Sequence, residues 1–273
     1  MQLHASSMFL AAARLSAQHE RITDMHKRLI ATNNQGKVKE LQELLKDLNI
    51  ELITPSQINL DLDVLEDGST YAENAAKKAL AFAQASNLIS LADDSGLEVD
   101  ALNGEPGLYS ARYGTLPPFS ASQKMGGAGG GSDAERRKYL LSKLQDTPRP
   151  WTARFHAAIA IAIPASHVTL PKGNRDDVSD SEGSLPLTSE ILRSLLHSSL
   201  RVKNEEVYLA NGICPGEIIP AERGTGGFGY DPIFLLPELG KTMAELSMDE
   251  KNRLSHRARA VMKARRILEK LLG

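Results

Sequence analysis

The sequence predicts an α/β fold, and three observations carry that reading. Apolar strand-like runs alternate with helical periodicity: Leu29-Ile30-Ala31 passes through a polar turn into Val38, Leu41, Leu44, Leu45 and Leu48 at helical spacing. Residues 155–163 form the most apolar strand of the chain, which predicts a central place in a sheet. Two helix starts carry the S/T-x-x-E pattern, Thr70 with Glu73 and Ser247 with Glu250. At 273 residues and 41% hydrophobic content the chain can bury a sizeable core, as one large domain or two small ones.

Composition narrows the function classes. A net charge of -2 gives no global field for nucleic acid, so any polyanion site must be built locally. The single cysteine, Cys214, excludes an internal disulfide framework and a multi-thiolate zinc cluster, and points to a reducing, cytoplasmic setting. No run of about 18 apolar residues is present, so no membrane partner is expected. Residues 8–13 are apolar, but Arg14 and Arg21 follow them rather than precede them, and Glu20 and Asp24 are unusual in a transit peptide. Residues 1–26 are therefore read as a disordered or loosely helical extension, with Met25 as an alternative start.

In chain order, Thr32-Asn33-Asn34-Gln35-Gly36-Lys37 joins the first strand to a helix opening on Lys37. Such a turn presents free N–H groups and a positive helix end to an anion, although it lacks the Walker A spacing; a solvated surface turn is the alternative. Residues 51–54 form a strand, and Glu66-Asp67-Gly68 precedes a helix carrying Ala75, Ala76, Ala79, Leu80 and Ala83. Asn74 and Lys78 share a face of that helix, where pattern alone favours water. The stretch 91–102 reads as a strand, a tight turn at Asp93-Asp94-Ser95-Gly96 and a second strand. Adjacent carboxylates in a turn favour a cation or a mobile proton between them; an Asp-Ser-Gly turn capping backbone N–H groups is the alternative.

Further turns are expected at Asn103-Gly104 and Pro106-Gly107. A glycine-rich loop spans 117–132, and Asp133 caps a short helix ending at Leu144. His156 is expected as a hydrogen-bonded core or edge histidine. The polar stretch 165–204 reads as an insertion, disordered around 172–186, with a short helix at 189–197. Residues 208–213 and 217–219 read as hairpin strands. In Arg223-Gly224-Thr225-Gly226-Gly227-Phe228-Gly229-Tyr230-Asp231-Pro232, glycines permit close backbone approach while the aromatics offer a stacking face. One long helix starts at Ser247, with a buried stripe of Leu254, Ala258, Val261, Leu268 and Leu271.

Together these stretches resemble the inosine triphosphate pyrophosphatase family, from about residue 28 to 271. The resemblance rests on Thr32 to Lys37; Gly68-Ser69-Thr70-Tyr71-Ala72-Glu73-Asn74-Ala75; Ala92-Asp93-Asp94-Ser95-Gly96-Leu97; Phe228-Gly229-Tyr230-Asp231-Pro232-Ile233-Phe234; and Ser255-His256-Arg257, in the family's order. It implies a single pyrophosphatase domain over 27–273, with a long mixed central sheet flanked by helices and two lobes around a substrate cleft. It also implies a homodimer and hydrolysis of ITP, dITP and XTP to monophosphate and pyrophosphate with Mg2+. By the same resemblance, Thr32, Asn33, Asn34, Gln35, Gly36 and Lys37 hold the triphosphate, Lys78 and Lys251 add charge, and Ser95 donates to substrate. Asp94 is implied as general base and metal ligand, and Glu66 as the second acid, a role that Asp67 shares as a candidate. Phe228, Gly229, Tyr230 and Asp231 would hold base and sugar, and His256 and Arg257 would read the 6-oxo group. The 117–132 loop and the 165–204 insertion are longer than the family pattern.

Two other classes are set beside this one: a phosphohydrolase releasing orthophosphate, and a nucleotide- or RNA-binding module using Lys37, Arg112 and the basic C-terminal helix. Acids at 66, 93 and 94 separate them, because a polyanion-binding module gains nothing from carboxylates beside its phosphates.

Overall fold

The computed structural model describes residues 27–114, 131–167, 200–202 and 205–272. The expected extension at 1–26, nearly all of the 117–132 loop, the disorder at 172–186 and the helix at 189–197 lie outside the described residues.

Strand β1 (Lys27–Ile30) leads into helix α1 (Gln35–Leu45) and strand β2 (Glu51–Ile53), and α2 (Tyr71–Ser86) leads into β3 (Ile89–Val99). β1 lies between β2 and β3 and is parallel to both, so each pair is joined through a crossover helix. After α3 (Asp133–Leu144) the sheet becomes antiparallel. β4 (Trp151–Ile163) pairs with β3, β6 (Glu205–Ile218) with β4, β7 (Phe234–Leu236) with β6 and β8 (Lys241–Thr242) with β7, while β5 (Leu200–Val202) adds to β6. The result is the mixed eight-stranded sheet of an α/β fold, closed by α4 (Met248–Leu254) and α5 (His256–Leu272).

The core divides into three clusters. On one face of the sheet, α2 packs Ala75, Ala76, Ala79 and Ala83 against Leu29, Ala92, Ala158 and Ala160. On the other, α1 and α5 pack Leu41, Leu45, Val261 and Leu268 against Ile30, Leu91, Ile159 and Ile161. A third cluster fills the far end of β3, β4 and β6, with Leu140 and Leu144 of α3 and Phe234 of β7. Residues 93–95 stand between these bodies. β3 outruns β1, whose last sheet contact is Ala31 with Leu91. This is the crevice beyond strand carboxyl ends, at the point where crossover helices part to opposite faces, that open α/β sheets use for ligands.

Several local expectations are corrected. No turn interrupts Asp93-Asp94-Ser95-Gly96: β3 runs extended through it because β4 pairs with it continuously from Ser90 to Val99. Gly96 answers to close packing instead, since a Cβ there would lie 2.4 Å from the Gly107 carbonyl oxygen. The hairpin expected at 208–219 is one strand, β6, held along its length by β4. The helix expected from Ser247 breaks at Ser255, which is extended (φ -65°, ψ 156°) and accepts the Ala258 N–H on its hydroxyl, starting α5 as a separate helix. The box at Ser247 is present. At α2, Thr70 caps Glu73 as expected, but the Glu73 carboxylate turns to the Ser69 N–H and hydroxyl. Ser132, rather than Asp133, caps α3.

Gly212 of β6 fixes where α5 lies. A Cβ there would sit 2.1 Å from the His256 carbonyl oxygen and 2.5 Å from the Ala260 nitrogen, so the helix rests directly on the strand backbone. Gly212→Ala is expected to destabilise the fold by about 3 kcal/mol, because neither neighbour is a side chain that can rotate away. Urea unfolding of the variant checks this, and a midpoint equal to wild type would refute it.

Candidate active site

Side chains alternate across a strand, so Asp93 and Asp94 leave β3 on opposite faces. The two carboxylates therefore do not face each other across a turn, as the turn reading required. Asp93 is fully buried on the α1/α5 side. Its carboxylate pairs with Lys37 Nζ at 2.6 Å and with Arg257 Nε at 3.0 Å, and accepts the Ser95 hydroxyl at 2.9 Å. Those cations hold it well below the usual carboxylate range in spite of its burial.

Asp94 faces α2. Burial pushes its carboxyl above the ordinary value although Lys37 and Lys78 pull the other way. Its direct partners are the Asn74 amide, 3.2 Å away, and the Ser95 N–H at 3.1 Å; among the described residues it makes no ion pair. Asn74 accepts the Gly68 N–H at 2.7 Å with its other amide atom, tying the 66–68 segment to this carboxylate. Glu66 pairs with Lys78, which also donates to the Asp93 carbonyl oxygen at 3.4 Å, while Asp67 turns outward to Lys77. Of the two acids, Glu66 is the one on the Asp94 side. Asn74 and Lys78, which pattern alone places toward water, are both turned inward.

The Thr32 to Lys37 turn is organised by Asn34, whose side chain accepts the Lys37 N–H at 3.1 Å and caps α1. Thr32 Oγ1 accepts the Asn34 N–H at 3.2 Å, and the Gln35 side chain returns to the Asn33 carbonyl at 3.4 Å. α1 thus opens at Gln35, not Lys37. The N–H groups of Gln35 and Gly36 stand at its first two positions, where no intrahelical acceptor exists. The Phe228 ring lies directly over Gly36; a Cβ there would be 2.6 Å from the ring.

The break at Ser255 brings Lys251 of α4 and Arg257 of α5 to one carboxylate, Glu40 of α1. Lys251 also pairs with Asp231 at 2.6 Å and lies 5.1 Å over the Phe228 ring, so it belongs to the aromatic loop rather than to Lys37 and Lys78. Arg257, 1% exposed, donates to Asp93, Glu40 and Ser95 and lies 5.6 Å over the same ring. Asp231 accepts the Phe228 N–H at 2.9 Å, and Gly227 (φ 71°) and Gly229 (φ 61°) take the left-handed conformations that turn requires. The Tyr230 hydroxyl donates to the Ser110 carbonyl at 2.9 Å. His256 stacks on Phe155 with centroids 4.7 Å apart; burial holds it neutral, and its Nδ1 has no partner among the described residues. His156 packs against Tyr71 and stands 3.7 Å from Glu98, apart from this group.

Glu40 is the residue that sequence reasoning missed. Its signal was one helical turn: it lies four residues after Gly36 and three after Lys37, an acid on the face those two define.

The model of the Ham1 family matches residues 28–176 and 192–267. The interruption falls within 165–204. A dITP/XTP pyrophosphatase of Desulforamulus reducens is 39% identical over 90% of this chain and 96% of its own, and one of Thermus thermophilus is 38% identical over 85% and 87%. The solved Ham1 protein of Staphylococcus aureus superposes with a TM-score of 0.61 at 35% identity, and that of Coxiella burnetii with 0.63 at 32%; each comparison covers 89% of this chain and 98% of the other.

The two aspartates should separate in stability measurements. Asp93 has a depressed carboxyl, so its contribution is present above the unfolded-state value and is lost as pH falls through the folded one. Asp94 has a raised carboxyl, so at neutral pH its ionisation opposes folding. Asp93→Asn is expected to lose about 3–5 kcal/mol at pH 7 by stripping Arg257 and Lys37 of their counter-charge. Asp94→Asn is expected to unfold at the wild-type denaturant concentration or above it. Equal losses in the two variants would contradict the assignment of faces.

Proposed function

The chain belongs to the Ham1 family, and from that premise we propose that it hydrolyses deaminated purine nucleoside triphosphates, dITP, XTP and ITP, to the monophosphate and pyrophosphate. The observation that carries the reading is Asp94, a buried carboxylate that makes no ion pair among the described residues, steered by Asn74 and close enough to Lys37 and Lys78 to feel both. A group of that kind can take a proton from water beside a polyanion that lysines hold in place.

In this reading the triphosphate lies between the N-terminus of α1 and the Lys37 and Lys78 ammonium groups. Gln35 and Gly36 offer N–H donors there. Asp94 accepts the proton of the attacking water, and Ser95 completes the phosphate contacts. Phe228 supplies a stacking face, with Gly229, Tyr230 and Asp231 setting its position. His256, neutral and with one ring nitrogen unpartnered, and Arg257 face the purine 6-position. An amino group there would leave a buried donor unpaired, which disfavours adenine by about 1–3 kcal/mol.

Magnesium fits the residues present. Glu66 and Asp94 provide carboxylate oxygens, the donor type Mg2+ takes, in the number it uses when substrate phosphates fill the remaining positions. When bound, the ion would neutralise charge on the phosphates and polarise the bond to be broken. The same reading makes the protein a cytoplasmic homodimer. Cys214 is buried, its thiol pushed up to about 11, which keeps it in the unreactive protonated form. Among the described residues no helix is long and apolar enough to cross a membrane.

Incubation with ITP, XTP, GTP or ATP, followed by anion-exchange separation of products, tests the proposal. IMP and pyrophosphate are expected from ITP, with ATP turned over at least about tenfold more slowly, and EDTA abolishing turnover. Orthophosphate release, or equal rates on all four nucleotides, would overturn it. Asp94→Asn is expected to reduce kcat by about 10²–10⁴ while remaining folded; near-wild-type turnover would remove Asp94 as the base.

A further inference from the structure

The aromatic loop is held by α3, an element outside every motif that the family resemblance rests on. Both peptide groups of Gly229 are taken by side chains of that helix. Asp133 Oδ2 accepts the Gly229 N–H at 2.6 Å, and Arg137 Nη1 donates to the Gly229 carbonyl at 2.8 Å. The two side chains are four residues apart, one turn of one helix face, so together they hold the peptide units on either side of the Gly229 Cα.

Each arm is itself braced. The other Asp133 oxygen pairs with Arg136, and the remaining edge of the Arg137 guanidinium forms a fork with Glu222, Nε to Oε1 at 2.8 Å and Nη2 to Oε2 at 2.9 Å. Arg137 is nearly buried in making these contacts, its side chain 11% exposed. A planar guanidinium with both edges committed has one orientation, which a flexible ammonium would not have. Gly229 lies between Phe228, whose ring covers Gly36, and Tyr230, whose hydroxyl reaches Ser110; the Ser110 hydroxyl in turn accepts the Leu97 N–H of β3 at 2.8 Å. Through Gly229, the position of the Phe228 ring is thereby tied to the strand that carries Asp94.

We propose that Arg137 and Asp133 are positioning residues for substrate selection: they fix the Gly229 peptide, and with it the stacking face of Phe228, relative to the phosphate turn. This rests on the nucleotide reading of the site. Neither residue touches substrate or the reacting atoms. Their loss should weaken nucleotide binding and blur the discrimination between bases while leaving the hydrolytic step intact.

The test compares wild type with Arg137→Ala, Arg137→Lys and Asp133→Asn. Arg137→Ala is expected to raise KM for ITP about tenfold with kcat within about twofold, and to narrow the ITP-over-ATP preference in kcat/KM by a similar factor. Arg137→Lys, which keeps a donor for the Gly229 carbonyl but not the fork, should recover part of the KM; Asp133→Asn, which keeps an acceptor, should lie near wild type. Unchanged KM and preference in a folded Arg137→Ala variant would overturn the proposal, as would a fall in kcat alone. Should Arg137→Ala not fold, the lysine variant decides: a raised KM with narrowed preference supports the clamp, and wild-type values refute it. Hydrogen exchange across residues 222–234 needs no substrate and separates this proposal from the reaction itself. If wild-type protein leaves ITP intact, the reaction assignment falls. The clamp then stands only if exchange in that segment quickens in Arg137→Ala, and falls if it does not.

Discussion

A guanidinium cannot escape burial by losing its proton. Arg257, 1% exposed, must therefore be neutralised where it lies, and Asp93 and Glu40 do this from β3 and α1. Because α5 carries Arg257 and rests on Gly212 of β6, that one side chain connects elements distributed across the whole chain. Buried ion pairs contribute little net stability compared with apolar packing, but removing one partner is severe. What such a network supplies is a unique arrangement: α1, β3 and α5 have one relative placement in which all three charges are paired.

The same network separates two environments. On one face of β3 and around the aromatic loop, Lys37, Lys251 and Arg257 stand opposite Asp93, Glu40 and Asp231, three cations to three carboxylates. On the other face, Lys78 pairs with Glu66 beside Asp94, which makes no ion pair among the described residues. Ion pairs thus balance on the first face and leave the Asp94 carboxylate without one on the second, among the described residues. Neighbouring aspartates come to have opposite environments, one fixed as an anion by its partners and the other raised by burial, from nothing more than the alternation of a strand.

Much of this was legible in the sequence because it is local. The strand, turn and helix at 27–45, the apolar central strand and the capping box at Ser247 depend on residues within a few positions of each other, and each is present. What was not legible depends on distant partners. Asp93 to Gly96 has the composition of a turn, and only ten residues of pairing with β4 hold it straight. Ser255 looks like any polar position in a long amphipathic helix until its hydroxyl caps the next one. Asn74 and Lys78 lie on a face that pattern assigns to solvent, and only the packing of α2 across the end of β3 turns them inward. Glu40 shows the same limit: its place one helical turn after Gly36 and Lys37 marks the face it lies on, but not the two cations that reach it from more than two hundred positions downstream.

The opposed faces of Asp93 and Asp94 bear on how this protein can misfold. Sliding β3 by one residue against β4 would present every β3 side chain to the opposite layer. In most sheets that error exposes apolar groups and is rejected for that reason alone. Here Leu91, Ala92 and Leu97 are apolar on both faces, so hydrophobicity polices the alignment weakly over this stretch. Gly96 and the acids police it instead: a slipped strand would press a side chain into the Gly107 carbonyl, offer Asp94 to Arg257 and leave Asp93 facing Asn74. Strand alignment and the contrasting environments of the two carboxylates are therefore set together, and a chain that has the one has the other.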